Sequence, residues 1–274
     1  MFKGPHPDCR YRLAIDSVSY KSRPIRQIVV TEQAIRAVNT NPEFQSGHRP
    51  TAAQAITIMQ DSRISIDPLE LAALIASRVC HDIISPVGAI TNGLEVLDEE
   101  RDEAMREFAM DLIRRSAAQA SAKLQFARLA FGASGGAGAE IDMQEAGRCA
   151  AALLERDKAE LDWQVTAGML PKGEAKLLMN LLILAANAVA RGGVVHVNAA
   201  RDGQETVIRL VAEGDRARLS AGISEVLTAG AMPNPLDAHA IQPLYAALLA
   251  NQAGMSITLS EEEDRVIIGA RSTT

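Results

Sequence analysis

The sequence predicts an α+β protein: a long antiparallel helical hairpin forming a four-helix bundle by dimerisation, followed by an α/β sandwich. Three observations carry this reading. Residues 68–131 hold two long stretches with apolar residues every three or four positions, parted by a very short charged turn. A GASGGAG run at 132–138 interrupts that pattern. Beyond it, helical and strand patterns mix.

The first helix starts at Asp67-Pro68-Leu69-Glu70, where Asp67 caps, Pro68 suits the first helical position and Glu70 completes a capping box. It runs to about Glu99 with an apolar stripe of Leu71, Ile75, Val79, Ile83, Val87, Ile90, Leu94 and Leu97. The second helix spans about Asp102 to Phe131, its apolar side marked by Met105, Phe108, Leu112, Leu124 and Ala127. So short a turn forces the two helices antiparallel. Each is roughly 45 Å long at ~1.5 Å per residue, and a lone pair cannot bury both stripes, so a homodimer completes the bundle.

After the linker the expected elements are a helix at 142–157, a strand near 161–167 and a helix from Lys172 to Ala190. Strands near 194–200 and 205–212 are joined by an Asp202-Gly203 turn. Helices near 219–228 and 237–251 precede a hairpin of strands at 255–260 and 265–270. The chain thus divides into a poorly ordered basic leader (1–64), the helical hairpin (65–131), the Gly-rich linker (132–139) and an α+β domain (140–274). Five prolines punctuate the leader. A translation start at Met59, just before the first convincing element, is an expectation that N-terminal sequencing tests.

Composition narrows the function. Apolar residues make up 47% of the chain but aromatics only 3%, which favours packed helices over an aromatic-rich sandwich. Of 28 Lys/Arg and 34 Asp/Glu, residues 1–64 hold nine and five, so the leader carries +4 and the remainder −10. So acidic a body argues against nucleic acid as a partner. Cys9, Cys80 and Cys149 form neither a disulfide framework nor a metal motif, and read as free thiols in a reducing cytoplasm. The apolar runs are read as too short for a membrane span.

The chemistry concentrates at residues 80–97, CHDIISPVGAITNGLEVL. At ~100° per residue, His81 points about 200° away from the apolar stripe and into solvent. Ser77, Ser85, Gly88 and Asn92 share its side, a strip of small residues that a partner can approach closely, with Arg78 and Asp82 beside it. Pro86 lacks the amide that would bond the Asp82 carbonyl and is expected to kink the helix there. An exposed imidazole next to a carboxylate suits reversible phosphoryl transfer. Asp82 would orient the ring or accept its proton, and Arg78 would steady phosphoryl oxygens or pair with an acidic partner. His6, His48, His196 and His239 show no ligand spacing to His81, so no metal site is expected, and no nucleophile elbow supports a hydrolase.

His81-Asp82-Ile83-Ile84-Ser85-Pro86-Val87 resembles the H-box of sensor histidine kinases, and the segment behind the linker resembles their ATP-binding domain, a fold shared with gyrase. The nucleotide boxes depart from the kinase pattern. Ala185-Ala186-Asn187-Ala188 keeps one Asn, with Ile183 at a polar position; Ala212-Glu213-Gly214-Asp215-Arg216 only approximates the adenine loop; Leu236 to Leu244 contains no glycine. A kinase-like hairpin without a nucleotide site resembles the alphaproteobacterial histidine phosphotransferases. That resemblance implies a homodimeric phosphorelay protein controlling the cell cycle. His81 would be the phospho-acceptor and Asp82 its catalytic neighbour, while Ser77, Arg78, Ser85, Gly88 and Asn92 would dock the partner. The implied partners are the receiver domain of a hybrid kinase of the CckA type and response regulators of the CtrA and CpdR types. No cofactor would be bound by this chain, Mg2+ being held by the receiver. The alternatives are an ATP-dependent histidine kinase with divergent boxes and a non-catalytic dimeric scaffold.

Overall fold

Helix α1, Pro68–Glu99, begins where its cap requires: the Asp67 carboxylate accepts from the Leu69 and Glu70 amides at 2.9 and 3.2 Å. The computed structural model describes residues 66–132, 138–155, 158–233, 236–237 and 240–273. The basic leader, Met59 and most of the Gly-rich linker lie outside the described residues.

A tight turn leads to α2, Glu103–Ala130, capped by Asp102. The Glu100 carboxylate accepts from the Arg101 and Asp102 amides at 2.8 and 3.1 Å. These backbone bonds, Asp102 foremost, hold its carboxyl below the usual carboxylate range. Arg106 donates to the carbonyls of Leu97 and Glu100, which have lost their helical partners at the end of α1.

The seam between α1 and α2 is made of small residues. Pro86 and Gly93 are the buried residues of α1, and Ala109, Ser116 and Ala120 are buried on α2. A Cβ on Gly93 would lie 2.7 Å from Ile113 Cγ1 and 3.2 Å from the Ala109 carbonyl oxygen, so that glycine lets the backbones approach. The apolar stripes are wider than this seam: Val87, Leu94, Phe108 and Leu124 stay exposed, as does Ile84. By length and composition α1 is apolar enough to cross a membrane, unlike the sequence expectation, because apolar residues fill its outward face as well as its seam.

Behind the linker, β1 (Glu140–Asp142) pairs antiparallel with β3 (Met169–Pro171), two short strands that the sequence pattern does not reveal. They flank α3 (Met143–Leu154) and β2 (Ala159–Val165). The main sheet adds β4 (Gly193–Asp202), β5 (Glu205–Glu213), β6 (Met255–Glu262) and β7 (Arg265–Ser272) in the order β2-β4-β5-β7-β6. Only β2 and β4 run parallel, joined through β3 and α4 (Lys172–Ala188); the other neighbours are antiparallel. Two more helices, α5 (Ile223–Ala229) and α6 (Ile241–Gln252), complete the described residues.

The cross-strand row Val197, Leu210 and Ile268 is buried under α4, whose own Leu177, Leu178, Leu181 and Leu182 are fully covered. Helix α3 approaches β2 at Gly147, where a Cβ would lie 2.7 Å from the Trp163 indole nitrogen. The hairpin joins this core at two places. Phe126 and Ala130 of α2 enter the main cluster, while Leu71, Leu74 and Ile75 of α1 pack on Val226, Ile241 and Leu244.

One polar contact fastens the first junction. Asn180 of α4 is fully buried and donates to the carbonyls of Ala130 (3.1 Å) and Lys176 (2.8 Å). Its own oxygen accepts from Gln242 of α6 at 2.6 Å. Lys176 reaches the Phe131 carbonyl at 3.5 Å, and burial, followed by the nearby Lys172 charge, lowers its pKa. The last carbonyls of α2, unpaired within their own helix, are thus capped from α4. Asn180→Leu keeps the size but leaves the Gln242 amide and the Ala130 carbonyl unpaired. It should cost about 1–3 kcal/mol, read as a lowered urea midpoint, with the hairpin end exchanging its amide hydrogens fastest.

Candidate functional site

The middle of α1 positions the site. The His81 side chain is 60% exposed, and its Nδ1 lies 3.5 Å from Asp82 Oδ1. Ser77, Ser85, Gly88 and Asn92 are exposed as well. A Cβ at Gly88 would meet nothing within 4 Å, so this strip is open above the backbone.

Arg78 sits differently. Its side chain is 14% exposed and turned in, with Nε 2.9 Å from Asp82 Oδ2. Asp82 is half-buried, one carboxylate oxygen facing Arg78 and the other facing the imidazole. With Asp82 Oδ1 toward Nδ1, the Nδ1–H tautomer is favoured and the lone pair falls on Nε2. That leaves a nucleophile on an open surface with a carboxylate behind it.

Pro86 is buried in the seam, and α1 is helical without interruption from Pro68 to Glu99. The carbonyl that Pro86 leaves without an amide belongs to Asp82, and it accepts from Lys123 Nζ of α2 at 3.0 Å. The expected loosening at this turn therefore meets a donor from the neighbouring helix. Lys123 was invisible to spacing arguments. A buried proline signals that a carbonyl needs a partner, yet which residue supplies it depends on the packing of α2.

A cavity of about 170 Å³ lies beneath Asp82, lined by Arg78, Lys123, Phe126, Ile183 and Asn187 among others. A larger one of about 460 Å³ opens between Arg78, Asn187, Leu219, Ile223 and Gln242. Asn187, the single Asn of the kinase-like box, lines both. Beyond β5 the backbone turns back tightly: Gly214 donates to the Asp264 carbonyl at 3.0 Å and the Arg216 amide to its carboxylate at 2.6 Å. Among the described residues no group of three His, Cys, Asp or Glu is placed to hold a metal. His196 pairs across the sheet with Asp162 at 2.7 Å, in a different part of the fold.

His81 and its carboxylate neighbour thus lie on a helical hairpin that leads into a mixed sheet with helices against it. Residues 143–265 match the histidine phosphotransferase C-terminal domain. The chain is 42% identical over 209 residues to the protein phosphotransferase ChpT of Brucella abortus (strain 2308), an alignment spanning 76% of this chain and 98% of that protein. It also resembles the solved structure of a bacterial phosphotransferase, with a TM-score of 0.69 and 41% identity, covering 75% of this chain and 98% of that one. The chain belongs to the histidine phosphotransferase family and is a phosphotransferase.

The Arg78–Asp82 pair is partly exposed, so its worth is modest. Arg78→Met should lower unfolding stability by less than about 1 kcal/mol, measured by urea denaturation, with the loss shrinking in high salt.

Proposed function

We propose that this protein relays phosphoryl groups between receiver-domain aspartates through a phosphohistidine on His81. The observation that carries the reading is the exposed His81 imidazole with Asp82 at Nδ1, on a strip of small residues in a family of histidine phosphotransferases. In the uptake step Nε2 attacks the phosphorus of a receiver acyl phosphate. The N–P bond forms, the P–O bond to the aspartyl carboxylate breaks, and the aspartate leaves as an anion. Nδ1 keeps its proton and Asp82 offsets the positive charge that develops on the ring. The reverse sequence delivers the phosphoryl group to a second receiver. Mg2+ would be held by the receiver, where it neutralises phosphoryl oxygens, and no nucleotide is required of this chain.

The working form is a homodimer, for which the exposed Val87, Leu94, Phe108 and Leu124 supply an apolar face. Pairing two hairpins there makes a four-helix bundle and leaves His81 on its solvent side. Ser77, Arg78, Ser85, Gly88 and Asn92 form the docking strip, with Arg78 contributing mainly through Asp82. The partners are the receiver of a CckA-like hybrid kinase and CtrA-like and CpdR-like response regulators, in the cytoplasm, with control of the cell cycle as the output.

His81→Ala should preserve the dimer in sedimentation while abolishing uptake of label from a phosphorylated receiver; label that persists places the acceptor elsewhere. Gly88→Glu adds charge and bulk to the open strip without touching the seam. Its melting temperature should hold within about 2 °C while transfer falls at least tenfold through a raised KM. Unchanged transfer would mean that receivers land on another face.

A further inference from the structure

Pro86 has no N–H, so within α1 the Asp82 carbonyl has no i+4 donor. A carbonyl left alone in a partly buried turn is destabilising unless something else donates to it. Lys123, from the C-terminal third of α2 and itself half-buried, places its ammonium 3.0 Å from that oxygen. The residue so held is also the one whose carboxylate faces His81. Asp82 is therefore fixed at two points by two cations, its carboxylate by Arg78 on its own helix and its carbonyl by Lys123 from the next.

We propose that Lys123 is a positioning residue for His81, replacing from α2 the helical hydrogen bond that Pro86 removes and so setting the Asp82 carboxylate behind the imidazole. This rests on His81 being the phospho-acceptor. The bond is charge-assisted and borders a cavity walled partly by Val79, Ile83, Phe126 and Leu154, where solvent competes less for the ammonium. An ordinary amide bond at this point would be internal to α1 and indifferent to α2. With Lys123 as donor, the turn carrying His81 takes its geometry from how α2 lies along the seam.

The substitution Lys123→Met keeps most of the side chain but not the donor, and Pro86→Ala returns an amide to the Asp82 carbonyl. Both are made in the full chain, alone and together, with Lys123→Arg as the conservative variant. The readout is phosphoryl uptake from a phosphorylated receiver domain at saturation, alongside melting temperature and the 15N shifts of the His81 ring. Lys123→Met should slow the saturated rate at least tenfold with little change in KM, since small misplacements of reacting groups carry losses of this size. It should also shift the His81 ring nitrogens. Lys123→Arg should recover most of the rate. In the Pro86→Ala background the same Lys123→Met change should slow the rate less than about twofold relative to Pro86→Ala alone, because the carbonyl then has its amide.

Equal losses in both backgrounds overturn the proposal, as does a lowered melting temperature with unaltered rate and ring shifts. Failure of the underlying reading is distinguishable: His81→Ala would then still take up label, whatever Lys123 does.

Discussion

Asn180 ties three helices together through one fully buried side chain. Its amide donates to the last turn of α2 and to its own helix, and its oxygen accepts from α6. A buried amide satisfies so many partners only in one arrangement, so this contact specifies how the hairpin meets the helical layer. The surrounding apolar residues, Phe126, Ala130, Leu177 and Leu181, supply the burial but not the register. With the end of α2 fixed there and the start of α1 packed on α5 and α6, the open end of the hairpin is anchored through both helices, and the middle of α1 runs on beyond that end. His81 stands in that middle stretch.

The hairpin seam shows how function constrains packing. Pro86, Gly93, Ala109, Ser116 and Ala120 are poor contributors of buried area, yet they bring two helices close. Larger residues on the same helices point outward, where they leave an apolar face that a lone chain does not cover. A helix designed only to stabilise a monomer would place its large residues in the seam. Here they are reserved for another surface, which agrees with the proposed pairing of two hairpins.

At His81 the same helix accepts a weakness and repairs it from outside. Pro86 removes a hydrogen bond and Lys123 replaces it across the seam, while Arg78 holds the Asp82 carboxylate. The outcome is an imidazole on an open surface whose carboxylate neighbour is held at two points. Under the proposed relay, the reacting group is accessible while the group that balances its charge is held.

Much of the hairpin was legible in the sequence because helical caps, short turns and three-to-four spacing are local signals. Asp67, Asp102 and the residues between them needed no knowledge of the rest of the chain, and the exposure of His81, Ser85 and Gly88 followed from the same periodicity. The strands of the main sheet were legible for a similar reason, but the three-residue pairing of β1 with β3 was not, since segments so short carry no period. The local sequence by itself determined where each helix starts, which side of α1 is polar and that the Asp82 carbonyl lacks its amide. Only the tertiary structure decided that Lys123 takes up that carbonyl, that Arg78 turns inward and that Asn180 caps α2. The contacts of Lys123 and Asn180 with other helices join residues 41 to 62 positions apart, and their geometry is set by helix packing rather than by neighbours along the chain.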